Sequence, residues 1–126
     1  MRFLPTTCNL FAAFSLAAAA CAADNVSIQV QHSPLAGSQY YALTAAWPEI
    51  RVGDRLTLIR EPENRHDRHA IRVEWRGQKL GYVPRAENRA LAAAMDREER
   101  ASARVSRLRD DRNPWQRVEF EVYLDL

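Results

Sequence analysis

Cysteine is almost absent from this chain. Its two cysteines, Cys8 and Cys21, both fall within the first 21 of 126 residues. The rest therefore has no internal disulfide, no thiol nucleophile and no thiolate metal site. Lysine is scarcer still, because Lys79 stands alone against 17 arginines. Four glycines and six prolines exclude a collagen-like or low-complexity chain. With 18 basic and 16 acidic residues the formal net charge is only +2, which excludes both a polycationic nucleic-acid coat and an acidic tail. No G-x-x-x-x-G-K-[ST] loop, G-x-S-x-G elbow or zinc-type Cys/His spacing occurs, so no nucleotide hydrolysis, serine hydrolase chemistry, metal or cofactor is expected.

What is present begins with a leader. Arg2 supplies a positive start, residues 10–20 form an apolar run broken by Ser15, and Ala20, Cys21, Ala22 and Ala23 follow. That order is the layout of a bacterial-type secretory signal peptide over residues 1–23, with cleavage after Ala22 or Ala23. The run falls well short of the ~20 apolar residues that a membrane span requires. Ala18-Ala19-Ala20-Cys21 is similar to a lipoprotein box, with Ala18 in place of the usual leucine, and offers lipidation of Cys21 as the alternative. The expected product, residues 24–126, is a single exported domain, periplasmic or secreted. Loss of Arg2 lowers its charge by one.

That domain reads mostly as strands. Val26, Ile28 and Val30 alternate with polar residues, as a half-buried strand does. Residues 40–47 are aromatic and apolar up to Pro48 and read as a further strand. Leu56 and Leu58 lie in another, and Ile71, Val73 and Trp75 share one face of the next. Arg76-Gly77 predicts a tight hairpin into residues 79–83. Residues 86–98 carry Ala90, Leu91, Ala94 and Met95 at helical spacing. Ala103 and Val105 lie in a strand, and Val118, Phe120, Val122 and Leu124 alternate in the last. Six or seven short strands and one main helix predict a mainly β fold, a small, partly open barrel of about six strands in the OB/SH3-like size range. Trp47, Trp75, Trp115 and Tyr41 are assigned to the core by default.

Between Gly53 and Arg89 the chain carries two distinctive blocks. The first is Glu61-Pro62-Glu63-Asn64-Arg65-His66-Asp67, which continues into Ala70-Ile71-Arg72-Val73. The second is Gly81-Tyr82-Val83-Pro84-Arg85, followed by an Ala/Leu-rich helix. With Gly53-Asp54 before them and Tyr40-Tyr41 upstream, these blocks resemble the HIRAN domain family over roughly residues 39–124. The resemblance implies a modified OB-type barrel that binds single-stranded DNA, with a preference for a free 3′ end, and no catalysis. It places the DNA-end contacts at Gln39, Tyr40, His66, Asp67, Tyr82 and Arg85.

The residue types suit that role. Tyr40, His66 and Tyr82 offer flat faces for bases, while Arg85, with Arg65 or Arg89, offers charge to phosphates. Asp67 can accept a hydrogen bond from a terminal hydroxyl and repel an extra phosphate. Two positions depart from the DNA-end-binding relatives. Gln39 replaces an arginine, and His66 replaces a tyrosine. Asn64 and Asp67 also fit a purely structural role, because both residue types bond their own backbone in turns. The small net charge predicts a shallow salt dependence, with about one or two phosphates neutralised. Export offers a different class of partner, an envelope protein or glycan bound through the same surface by Tyr40 and Tyr82. Mass spectrometry of the protein from its native host should show the leader removed after Ala22 or Ala23; an intact form beginning at Met1 would contradict export.

Overall fold

The Arg76-Gly77 pair makes the hairpin its sequence predicts. Both residues have positive φ, 48° and 77°, the mirror-image turn whose twist suits two antiparallel strands. This computed structural model describes residues 26–126; the expected leader, with Cys8 and Cys21, lies outside the described residues. The hairpin joins β3 (Ile71–Trp75) to β4 (Gln78–Tyr82). The other strands are β1 (Ser27–Pro34), β2 (Arg55–Arg60), β5 (Ala101–Leu108) and β6 (Val118–Asp125). They form one six-stranded sheet in the order β1-β6-β5-β2-β3-β4, antiparallel throughout.

Register shifts at Gln29/Gln31, Val73/Glu74 and Val105/Arg107 bend and twist this sheet. Its concave face carries Leu56, Ile71, Val73, Leu80, Val105 and Phe120, all essentially without solvent contact. Curling brings the two edges together. Just beyond β1, Ala36 N–H donates to Tyr82 O and Tyr82 N–H donates to Ala36 O, both at 2.9 Å. The barrel is therefore partly open, with its edges tied by two hydrogen bonds.

Gly81 makes this approach feasible. A Cβ at that position would lie 2.3 Å from Ala36 O, inside any permitted contact. At the far end of the sheet, Asp54 Oδ2 accepts from Arg51 N–H at 2.9 Å and from Trp75 Nε1 at 3.0 Å. These two donors hold its carboxyl below the ordinary value.

Four expectations need correction. Residues 40–47 are not a strand: a 3₁₀ turn (Ser38–Tyr40) leads into a short helix, α1 (Leu43–Ala46). Alanine favours the helix, and Leu43, Ala46 and Ile50 bury themselves at helical spacing. Val26, Ile28 and Val30 do lie at or in β1 but are about half exposed. Their stretch of β1 pairs with the last residues of β6, Ser27 opposite Asp125, past the end of the core. The main helix, α2 (Arg89–Asp96), is shorter than expected because residues 84–87 form a turn closed by Glu87 N–H to Pro84 O. It buries Leu91, Ala92 and Ala94, with Met95 packed against the core and Ala90 facing outward. Finally, Trp115 is half exposed, in a 3₁₀ turn whose cap is the Asn113 side chain.

Gly81→Ala should destabilise the domain by about 1–3 kcal/mol, the usual range for overpacking. Urea unfolding checks this, and a midpoint equal to that of the parent would mean that the edges do not meet at Tyr82.

Candidate nucleic-acid interface

The loop between β2 and β3 is built by its own polar side chains. Asn64 Oδ1 accepts from His66 N–H at 2.9 Å and from Asp67 N–H at 3.2 Å. Asp67 Oδ1 accepts from His69 N–H at 2.9 Å, and Glu61 N–H donates to Ala70 O at the loop base. These short-range bonds are the Asx-type turns that Asn and Asp favour. They push the side chains of Arg65 and His66 outward into solvent.

A long-range bond fixes the loop against α2. Asn88, at the N-terminus of α2 and 2% exposed, donates from Nδ2 to Asp67 Oδ2 at 2.7 Å. Burial alone would raise the Asp67 carboxyl. The bonds from Asn88 and His69 and the charge of Arg85 outweigh it and hold Asp67 below the ordinary carboxylate value. Each Asp67 oxygen takes one of these bonds, and a carboxylate has lone pairs for more. Asp67 thus supports the loop and keeps acceptor capacity toward solvent. Arg85 Nη2 donates to His66 O at 2.7 Å, a second tie between the loop and the segment after β4.

Tyr82 forms the other wall. Its hydroxyl donates to Glu61 Oε1 at 2.8 Å and accepts from Lys79 Nζ at 2.7 Å. Asn64 Nδ2 and Arg72 Nη1 complete the donors to Glu61, at 3.0 and 3.2 Å. Burial acts to raise Glu61, but these hydrogen bonds and the charges of Lys79 and Arg72 bring it below its usual value. Burial, followed by the bond to Glu61, raises the Tyr82 phenol, so it stays neutral and keeps donating. Burial would lower the Lys79 ammonium, yet the Tyr82 and Tyr41 hydroxyls raise it. Lys79 Nζ sits 4.1 Å from the Tyr41 ring centroid and 4.5 Å from that of Tyr82, within cation–π range of both.

The rings continue outward. Tyr82 and Tyr41 meet edge to face at 5.9 Å, and Tyr41 and Tyr40 at 6.5 Å. Tyr40 is 77% exposed, and Gln39 beside it is also exposed. The sharp turn that presents them begins at Gly37, where φ is 72°.

Two clefts share this ground. One, of about 250 Å³, is lined by Tyr41, Tyr82, Val83, His66, Asp67 and Arg85, with Ala36, Asn64 and Ala70 behind them. The other, of about 580 Å³, is lined by Arg65, Arg68, Arg85 and Arg89 with His66, Asp67 and His69. Asn64, His66, Asp67 and Arg85 belong to both. Four of the six residues named from sequence, His66, Asp67, Tyr82 and Arg85, therefore line one cleft. Tyr40 and Gln39 do not line it, and Tyr40 adjoins it through Tyr41. Sequence reasoning missed Tyr41 as a wall, Lys79 and Glu61 as the pair that fixes Tyr82, and Asn88 as the partner of Asp67. The signal for Lys79 was its being the chain's one lysine. Asn88 had none, since its partner lies 21 residues away.

Comparisons with known proteins agree with this architecture. A protein of known structure from Lactobacillus plantarum superposes with a TM-score of 0.71 at 27% identity, over 79% of this chain and 96% of its own. The HIRAN domain of human HLTF superposes with a TM-score of 0.59 at 19% identity, over 79% of this chain and 78% of its own, a likeness of fold. A Fanconi-associated nuclease 1 homolog from Oryza sativa subsp. japonica is 42% identical over a 53-residue alignment, and the match covers 39% of this chain and 6% of that much longer protein. The family model for the HIRAN domain matches residues 28–126. The chain belongs to the HIRAN domain family, whose members are generally DNA-binding modules.

Proposed function

We propose that this domain binds single-stranded DNA, prefers a free 3′ end, and releases the strand chemically unchanged. The observation that supports this best is the meeting of an aromatic cleft with an arginine-lined one at His66, Asp67 and Arg85. Bases need flat faces and the backbone needs cations, and a site for a single strand must offer both side by side. Tyr40 and His66 stack on the terminal bases. Tyr82, held by Glu61 and Lys79, forms the rigid floor beneath them.

Asp67 receives the terminal hydroxyl. Its depressed pKa keeps it an anion at neutral pH, so it accepts from a 3′-OH and repels a 3′-phosphate. Arg85 contacts the neighbouring phosphate with the donors that its bond to His66 O leaves free. Gln39, in place of an arginine, adds an amide that hydrogen-bonds without charge. The nuclease in the rice relative's name describes a protein of which this chain matches 6%, and no hydrolysis is assigned here. With the leader removed as proposed from sequence, the DNA that the domain meets lies outside the cytoplasm.

Fluorescence polarisation with matched oligonucleotides ending in 3′-OH or 3′-phosphate tests this reading. The parent should bind the 3′-OH strand more tightly, and Tyr40→Ala should weaken binding by about 1–3 kcal/mol, the loss of one stacked base. Asp67→Ala should erase the difference between ends without abolishing binding. Because Asp67 also holds the loop, Asp67→Asn, which keeps one acceptor oxygen, is the companion variant and should show the same loss of discrimination. Equal affinity of the parent for the two ends would remove the end-recognition reading.

A further inference from the structure

Several arginines of this domain are neutralised within the chain. Arg60 pairs with Asp96 at 2.9 Å, Arg72 with Glu61 at 3.2 Å, Arg76 with Glu49 at 3.3 Å and Arg97 with Glu99 at 3.3 Å. Arg65, Arg68 and Arg89 are different. Among the described residues their guanidinium groups have no carboxylate within ion-pair distance and no hydrogen-bond partner, and all three line the 580 Å³ cleft together with Arg85. Asp67 is the one acidic side chain lining it, and the Asn88 amide and His69 N–H already occupy its oxygens in part. Glu87, next to the cleft in sequence, is engaged by Ser33 Oγ at 2.6 Å.

This gathering works against the free domain. Arg65 and Arg68 come from the β2–β3 loop and Arg85 and Arg89 from the β4–α2 segment, so folding itself brings four like charges onto one cleft. Arg89 is also the first residue of α2, where the helix dipole disfavours a cation, and the first turn holds no acidic residue. The Asn88 side chain makes no capping bond to that turn, and its amide Nδ2 is turned toward Asp67. A bound polyanion would relieve both conflicts at once.

We propose that Arg65, Arg68 and Arg89 form a phosphate-binding track that continues from the aromatic cleft and holds the backbone of the nucleotides next to the terminal ones. The ligand is then a strand of several nucleotides, not a lone terminal base or a mononucleotide. This inference rests on the single-strand reading of the site. It makes the salt dependence steeper than the one or two phosphates expected from net charge, because local arginines set the slope, not the near-zero total.

The test compares a single strand of about six nucleotides with a dinucleotide carrying the same 3′-OH end, for the parent and for the combined variant Arg65→Gln, Arg68→Gln, Arg89→Gln. All three side chains are exposed, so the variant should melt within a few degrees of the parent. Each phosphate contact on a single strand contributes about 0.7 to the slope of log affinity against log salt. The variant should therefore lose about two units of slope on the longer strand, bind it more weakly at low salt, and bind the dinucleotide as the parent does. An unchanged slope would overturn the track while leaving a 3′-OH preference that depends on Asp67 intact. Equal weakening on both ligands would also overturn it, by placing the arginines at the terminal nucleotides. Absence of binding by the parent to either ligand would overturn the track and the single-strand reading together.

Discussion

Two backbone hydrogen bonds between Ala36 and Tyr82, possible because Gly81 has no side chain, tie the edges of the sheet and put the site together. On one side of this bridge the chain turns at Gly37 and presents Tyr40 and Tyr41. On the other, Tyr82 reaches across to Glu61 and Pro84 stops the strand before Arg85. Without the bridge the aromatic pair and β4 would belong to opposite edges of an open sheet. The Tyr41–Tyr82 ring contact and the position of Lys79 over both rings lie beside that closure, where Ala42 N–H also donates to Lys79 O at 3.1 Å.

Around the bridge the polar groups form two linked systems with different work. Glu61, Asn64, Lys79 and Tyr82 satisfy one another and hold the aromatic floor in place. Asn64, Asp67, His69 and Asn88 hold the loop and aim Arg65 and His66 outward. Asn64 belongs to both, so one side chain links the aromatic wall to the arginine-bearing loop. Such preorganisation lowers the ordering cost of binding a flexible strand. On the proposed reading, the arginines left unpaired among the described residues, not the small net charge, supply the field at the site.

Sequence reading succeeded where the determinants are local. The Arg76-Gly77 turn and the self-bonded loop from Glu61 to Ala70 rest on contacts within a few residues, and the six strands and their partly open barrel followed from alternation. It failed where a distant partner decides. Val26, Ile28 and Val30 alternate as a strand should, yet their exposure depends on β1 overhanging the core beside the end of β6. The stretch 40–47 misled through its aromatics, although Leu43, Ala46 and Ile50 already carried the helical spacing. Which arginines are free could not be read at all, because pairings such as Arg60 with Asp96 span 36 residues.

The central claim, one composite site in which rings and arginines meet at Asp67, is tested most directly by amide chemical-shift mapping with a short single-stranded oligonucleotide. The account predicts shifts at Tyr41, in the loop 64–69, and at Tyr82, Arg85 and Arg89, with Val26, Ile28 and Val30 unmoved. Shifts centred instead on the outward face around Arg55, Arg104 and Tyr123 would contradict it.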